Sequence, residues 1–69
     1  MDEFQLHNNE YVTLKDLLKL MGLCESGGSA MAAIAEGRVK VDGHVELRKR
    51  CKIRTGQVVA FEGHEIIVK

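Results

Sequence analysis

A chain of 69 residues has room for one domain, and folding at this size buries roughly 60% of the surface that the unfolded chain exposes. Hydrophobic residues make up 45% of the chain and charged residues 29%, a balance that excludes a disordered, highly charged segment. Ten basic residues are matched by ten acidic ones, so the overall charge alone argues against a nucleic-acid partner.

The first predicted elements are a strand and a helix. Residues 3–7 alternate polar and apolar side chains as a half-buried strand does, and Asn8-Asn9 is a turn signal. Thr13 can cap a helix over 13–22 that ends at Gly22, a residue suited to a left-handed C-terminal position. The apolar residues of this segment recur at helical spacing and share one face: Leu14, Leu17, Leu18 and Met21.

A second, alanine-rich helix is predicted over 26–36, with Ser26 as its N-cap and Gly37 closing it. Its small side chains suit close packing against the first helix. Gly27 and Gly28 in its first turn each cost roughly 0.5–1 kcal/mol relative to alanine. That cost suggests a functional reason for the two glycines.

The remainder of the chain is predicted to form four short strands. Residues 38–41 and 44–47 alternate polar and apolar side chains on either side of Asp42-Gly43, a pair typical of a hairpin turn. Strands 58–61 and 65–68 follow, separated by a Glu62-Gly63 turn. We therefore expect an α+β fold in which two packed helices cover a small, mostly antiparallel sheet. The whole chain, 1–69, is expected to be one domain.

Positive charge is concentrated in one quarter of the chain. Seven of the ten basic residues lie within 38–54, against the two acids Asp42 and Glu46. The densest part is the basic strip 48–54, in which neighbouring cations repel one another unless an anionic partner relieves them. Arginine side chains there offer planar forks suited to phosphate. The alternative interpretation is a solvated loop whose charges keep a strand edge from pairing.

A second anion-binding candidate is the segment Ser26-Gly27-Gly28-Ser29. It places free backbone N–H groups and the positive end of a helix dipole at one point, and no large side chain blocks the approach. The alternative is simple helix capping. The segment lacks the Gly-Lys-Ser/Thr of a phosphate-binding P-loop.

No catalytic or metal-binding constellation is evident. His7, His44 and His64 lie in or beside different predicted strands without metal-ligand spacing, so we expect surface histidines and no metal or other cofactor. Cys24 and Cys51 are expected to be reduced thiols. The N-terminal MDEFQLH is acidic where a signal peptide is basic, and no apolar run approaches the ~20 residues of a membrane span. These features predict a cytoplasmic protein without a membrane partner.

The segment from Leu14 to Val59 resembles the S-four-type RNA-binding domain, named after a small-subunit ribosomal protein. The resemblance rests on three groups of residues. They are Leu14, Leu17, Leu18, Lys19 and Gly22; then Ser26, Ala30 and Ile34; and finally Glu36-Gly37-Arg38-Val39, Val41-Asp42-Gly43, Arg48-Lys49, Ile53, Gly56 and Val58-Val59. The motif core spans 13–61. The Ser-Gly-Gly variant and the short chain look most like a free-standing bacterial subgroup.

The resemblance implies an L-shaped surface, made by the helix pair and the following hairpin, that binds structured RNA. Carried over by position, this surface would comprise Lys19, Ser26, Gly27, Gly28, Ser29, Arg38, Lys40, Arg48, Lys49, Arg50 and Lys52. The predicted function is a monomeric, non-enzymatic protein that recognises ribosomal or transfer RNA, on a ribosomal particle or free, through phosphate backbone and shape. The alternative is a protein-interaction adaptor whose basic strip meets an acidic protein, which the zero net charge favours slightly.

Overall fold

A computed structural model describes the whole chain, Met1 to Lys69. Its elements in order are β1 (Asp2–Phe4), β2 (Val12–Thr13), α1 (Leu14–Leu20), α2 (Gly27–Ala35), β3 (Val39–Val41), β4 (His44–Val45), β5 (Lys52–Ile53), β6 (Val58–Phe61) and β7 (His64–Val68). This order confirms the predicted α+β class. Neither helix is long and apolar enough to cross a membrane.

The strands form two sheets of unequal size. The larger sheet has the order β1-β7-β6-β3-β4, in which β1 and β7 run parallel and every other neighbouring pair is antiparallel. The smaller sheet pairs β2 with β5, Val12 opposite Ile53 and Thr13 opposite Lys52. This second pairing draws the start of α1 and the end of the basic strip together.

One hydrophobic core of 15 buried residues joins both helices to the large sheet. Leu14, Leu17 and Leu18 supply the inner face of α1, as the helical spacing predicts, and Ala30, Ala33 and Ile34 supply that of α2. Strand β3 alternates with period two, so its two valines are buried while Lys40 points to solvent. Fully burying one such leucine or isoleucine stabilises the fold by roughly 1.5–3 kcal/mol.

The backbone geometry confirms the predicted glycines at the helix ends and the predicted hairpin turn. Gly22 and Gly37 follow the helices with φ of 75° and 76°, the left-handed conformation that glycine adopts without steric cost. At the hairpin, Asp42 and Gly43 both have positive φ, 51° and 86°, as the tight two-residue turn between β3 and β4 requires.

Several predicted bounds are wrong, and each has a local cause. The first strand ends at Phe4, because His7 and Asn8 turn the chain through left-handed conformations. The predicted strand 44–47 ends at Val45. The Glu46 backbone N–H still donates to the Val39 carbonyl at 3.0 Å, and the backbone leaves the sheet after it. Strands β2 and β5 were not predicted. The helices match their predicted segments to within two residues at each end, the usual fraying of helix termini.

Candidate functional site

The basic strip begins in a loop, residues 46–51, that connects β4 to β5; we call it the basic loop. The Cys51 N–H donates to the Arg48 carbonyl at 3.1 Å, closing a turn with Lys49 and Arg50 at its tip. The same loop meets the start of α1, where the N–H groups of Leu14 and Lys15 donate to the carbonyls of Cys51 and Lys49 at 2.9 and 3.0 Å. Thr13 makes no side-chain cap, and the loop carbonyls instead satisfy two of the free N–H groups at the start of α1.

A carboxylate inside the basic loop fixes its first half. Glu46 accepts hydrogen bonds from the Arg48 backbone N–H at 2.9 Å and from two guanidinium nitrogens, Nε at 3.0 Å and Nη2 at 3.1 Å. These donors, first the side chain and then the backbone N–H, lower the pKa of Glu46 to about 2. Arg48 is therefore already engaged by a carboxylate, although its side chain is largely exposed.

Cys51 packs beside this ion pair without disulfide or metal chemistry. Its thiol is free and half-buried, and Arg48 Nη2 lies 3.7 Å from the sulfur. Burial raises the pKa of Cys51, with the Glu46 charge adding to the effect. A thiol in that state is a poor nucleophile. Cys24, also free, is buried in the core.

The remaining cations divide into paired and unpaired groups. Arg38 forms ion pairs with Glu36 and Glu62 and stacks over the Phe61 ring, 5.4 Å from its centroid. Arg54 lies 4.0 Å from a Glu10 carboxylate oxygen. Five cations have no acidic partner among the ion pairs: Lys19, Lys40, Lys49, Arg50 and Lys52. Of the five, three belong to the basic strip.

An open groove of about 800 Å³ lies between the basic loop and the outer face of α2. Its floor is apolar and its rim basic: the lining residues are Met31, Ala32, Ala35, Leu47, Arg48, Lys49 and Arg50. The other side of the loop forms a smaller hollow, where Lys52 joins Arg48, Arg50 and Cys51. Lys52 also lies over the Tyr11 ring, 5.0 Å from its centroid, as β2 and β5 pair there.

The N-terminus of α2 is capped by its own serines. The Ser29 N–H donates to Ser26 Oγ at 3.2 Å, and the Ser26 N–H donates to Ser29 Oγ at 3.2 Å, a reciprocal capping box. The Gly27 and Gly28 N–H groups have no partner in the protein. Gly28 also falls on the helix face of Ala32 and Ala35, because residues four and seven positions apart share a face.

The predicted site residues do not all line one depression. Arg38 and Lys40 line a separate depression with Phe61 and the β6–β7 turn, on the sheet face that points away from the core. Lys19 is exposed near the end of α1 and lines neither depression. The structure brings Arg48, Lys49 and Arg50 together against α2, with Lys52 beside Arg48 and Arg50 on the other side of the basic loop. Arg38, Lys40 and Lys19 lie outside this groove.

Sequence reasoning missed three features of the site. The Glu46–Arg48 pair had a local signal, since residues two apart on an extended chain share a side. The apolar floor of the groove had a weaker sequence signal, because Met31, Ala32 and Ala35 occupy the face of α2 that the core does not use. The contact of Lys52 with Tyr11 had no sequence signal, because it depends on a strand pairing between distant segments.

Comparison with known proteins identifies the family. A family model described as the S4 domain matches residues 4–69. Two relatives are each 59% identical over 68 residues, covering 99% of this chain and 97% of their own: "Putative RNA-binding protein YbcJ" of Escherichia coli (strain K12) and "Uncharacterized protein YbcJ" of Shigella flexneri.

The fold is shared as well as the sequence. The solution structure of YbcJ from E. coli, described as revealing an ALFAL motif involved in RNA-binding, superposes with a TM-score of 0.75 at 59% identity. The match covers 99% of this chain and 86% of that one. It confirms the helix pair and the mixed sheet of short strands. With a family match along nearly its whole length and this level of identity, the chain belongs to the S4 domain family.

Proposed function

We propose that this protein is a non-enzymatic RNA-binding protein that recognises structured RNA, ribosomal or transfer RNA, mainly through phosphate backbone and shape. The observation that carries the proposal is the tip of the basic loop, where Lys49 and Arg50 stand exposed and without an acidic partner. When such cations bind a polyanion, the counterions condensed on the polyanion are released, and this release favours binding. The RNA-binding description of the 59% identical E. coli relative points the same way.

The basic loop is built to present these cations at little entropic cost. Two backbone hydrogen bonds from the start of α1 and one from the Arg48 N–H to Glu46 hold its backbone. The Arg48 guanidinium adds two more bonds to Glu46, so binding needs to order only the Lys49 and Arg50 side chains. Arg48 acts here as a positioning residue, because its guanidinium already contacts Glu46. Lys52 extends the cationic surface to the far side of the loop.

The N-terminus of α2 supplies a second contact in this proposal. The free N–H groups of Gly27 and Gly28 suit a phosphate oxygen, and Ser26 and Ser29 hold the helix end in place. Lys19 and Lys40, exposed and unpaired, would contact RNA that extends around the protein. Arg38, held by Glu36 and Glu62, would need to release a carboxylate to do so.

The rival function is an adaptor that binds an acidic protein, and its support is the zero net charge of the chain. Treating a native pull-down with ribonuclease separates the two proposals, because an RNA partner is lost and a protein partner stays. Titration of labelled ribosomal or transfer RNA at low salt is the direct test: no saturable binding would refute the RNA proposal. Association with ribosomal particles, a cytoplasmic location and a monomeric state stay predictions.

A further inference from the structure

The groove beside the basic loop has a floor that phosphate binding does not require. Its lining combines three cations with four apolar side chains, and Leu47 at its edge is 61% exposed. A site that contacted the RNA backbone alone would gain nothing from an exposed leucine. The apolar floor therefore points to a ligand with an apolar surface beside its negative charge.

In a folded RNA, the broad apolar surface that a protein can reach is the face of an unpaired base. Paired bases are hidden in the stack, whereas bulged or looped bases swing out and pack against side chains. We propose, building on RNA binding as the proposed function, that this groove receives one extruded, unpaired nucleobase. Lys49 and Arg50 at the rim then hold the phosphates on either side of it.

The dimensions of the groove favour a base over an amphipathic peptide helix. On α2 the floor runs from Met31 to Ala35, one helical turn or about 6 Å at 1.5 Å per residue. A peptide helix in a groove is anchored at i, i+3, i+4 and i+7, which needs about 10 Å of apolar surface.

The small residues of α2 give the floor its shape. Ala32 and Ala35 are exposed and carry only a methyl group, so they form a flat shelf on which a planar ring can lie. Leu47 closes one side of this shelf.

The test compares two RNA hairpins that differ by one nucleotide: a fully paired stem, and the same stem with a single bulged 2-aminopurine. Binding is measured by fluorescence anisotropy at about 50 mM salt, where phosphate contacts are strong. We expect the bulged RNA to bind about fivefold tighter, the low end of what one stacked base contributes, because the floor is aliphatic. The 2-aminopurine emission should change on binding as the base enters the groove.

Two leucine variants locate the base. Leu47→Ser should abolish the preference for the bulged RNA and the emission change, with affinity for the paired stem kept. Leu20→Ser is the matched control, because Leu20 is 63% exposed but lies outside the groove. It should leave both readouts unchanged.

The outcomes separate the two levels of the proposal. Equal binding of both hairpins, unaffected by Leu47→Ser, would overturn base insertion while RNA binding stands. No binding of either hairpin would overturn the proposed function itself. An acidic helical peptide, titrated in parallel, tests whether the groove binds a protein partner instead of a base. If it binds through Leu47 while the bulge preference is absent, the groove belongs to a protein partner and the inference is wrong.

Discussion

Replacing Lys49 and Arg50 together by alanine should lower RNA affinity and flatten its salt dependence. Three strip cations, Lys49, Arg50 and Lys52, have no acidic partner in the structure. Each phosphate contact contributes roughly 0.7–0.9 to the slope of log affinity against log salt, so these three contacts contribute about −2.1 to −2.7 to the slope. Over a fourfold rise in salt, from about 50 to 200 mM, these three contacts alone lower the affinity about 20- to 40-fold.

The double variant keeps one of these contacts. Its slope should be shallower than that of the wild type by about 1.4–1.8 units, so its affinity should fall about 7- to 12-fold less over the same salt range. Arg48→Ala provides the sharper comparison: because Glu46 already engages that guanidinium, the slope should change by less than about half a unit. Lys69→Ala, which removes a distant cation paired with Glu3, is the control for net charge.

Fluorescence anisotropy with labelled structured RNA measures all four proteins, and chemical denaturation checks that each is folded. Exposed charges usually affect stability within about ±0.5 kcal/mol, so the affinity changes should not follow stability. An unchanged slope in the double variant would remove the basic loop from the RNA contact. If Arg48→Ala flattened the slope as much as the double variant does, the claim that the ion pair with Glu46 keeps Arg48 from contacting phosphate would be refuted.

Three further expectations concern the surroundings of the loop. Replacing Gly27 and Gly28 by alanine should keep or raise stability, by roughly 0.5–1 kcal/mol each, since the Gly27 Cβ would meet nothing within 4 Å and the Gly28 Cβ only Ser26 Oγ at 3.7 Å. RNA affinity should fall, and lower stability with unchanged affinity in denaturation and binding assays would make the glycines structural. Because the pKa of Glu46 is lowered from 4.5 to about 2, its ion pair stabilises the fold fully above pH 4.5 and is lost as the pH falls toward 2. Denaturation midpoints across that interval should fall more steeply in the wild type than in Glu46→Gln, and matching profiles would contradict it. Ile53→Ala should cost roughly 2–5 kcal/mol, because Ile53 is fully buried on β5; a loss below about 1 kcal/mol in urea denaturation would show that β5 is loosely packed.

The sequence predicted the core more completely than the loops. Helical spacing in α1 and strict alternation in β3 report directly which side chains face inward, because burial of one face imposes those periods. The Asp42-Gly43 turn was predictable for a related reason, since few residue pairs tolerate two positive φ values. Strand β5 was not predictable, because its two residues have no period of their own and pair with an equally short strand 40 positions earlier.

The candidate site shows the same division between local and distant information. A cluster of cations is visible in the sequence, but which of them are free depends on the acids that folding brings alongside. Arg38 meets Glu62, and Arg54 approaches Glu10, each across a long stretch of chain. The prediction treated eleven residues as one surface; in the structure Arg38 and Lys40 line a different depression from the basic loop.

Zero net charge and an anion-binding loop are compatible because acids and bases are not evenly mixed on the surface. Folding pairs several acids with Lys15, Arg38, Arg48, Arg54 and Lys69. Lys49 and Arg50 are left unpaired at one protruding turn. At physiological salt, charges separated by more than about 8 Å are largely screened, so a ligand at this turn experiences its immediate neighbours and not the balance of the chain. A neutral protein of this kind gains little from long-range attraction to RNA in general. Its affinity must come from contacts made at close range, which is the condition under which an RNA with a fitting shape is preferred over any other polyanion.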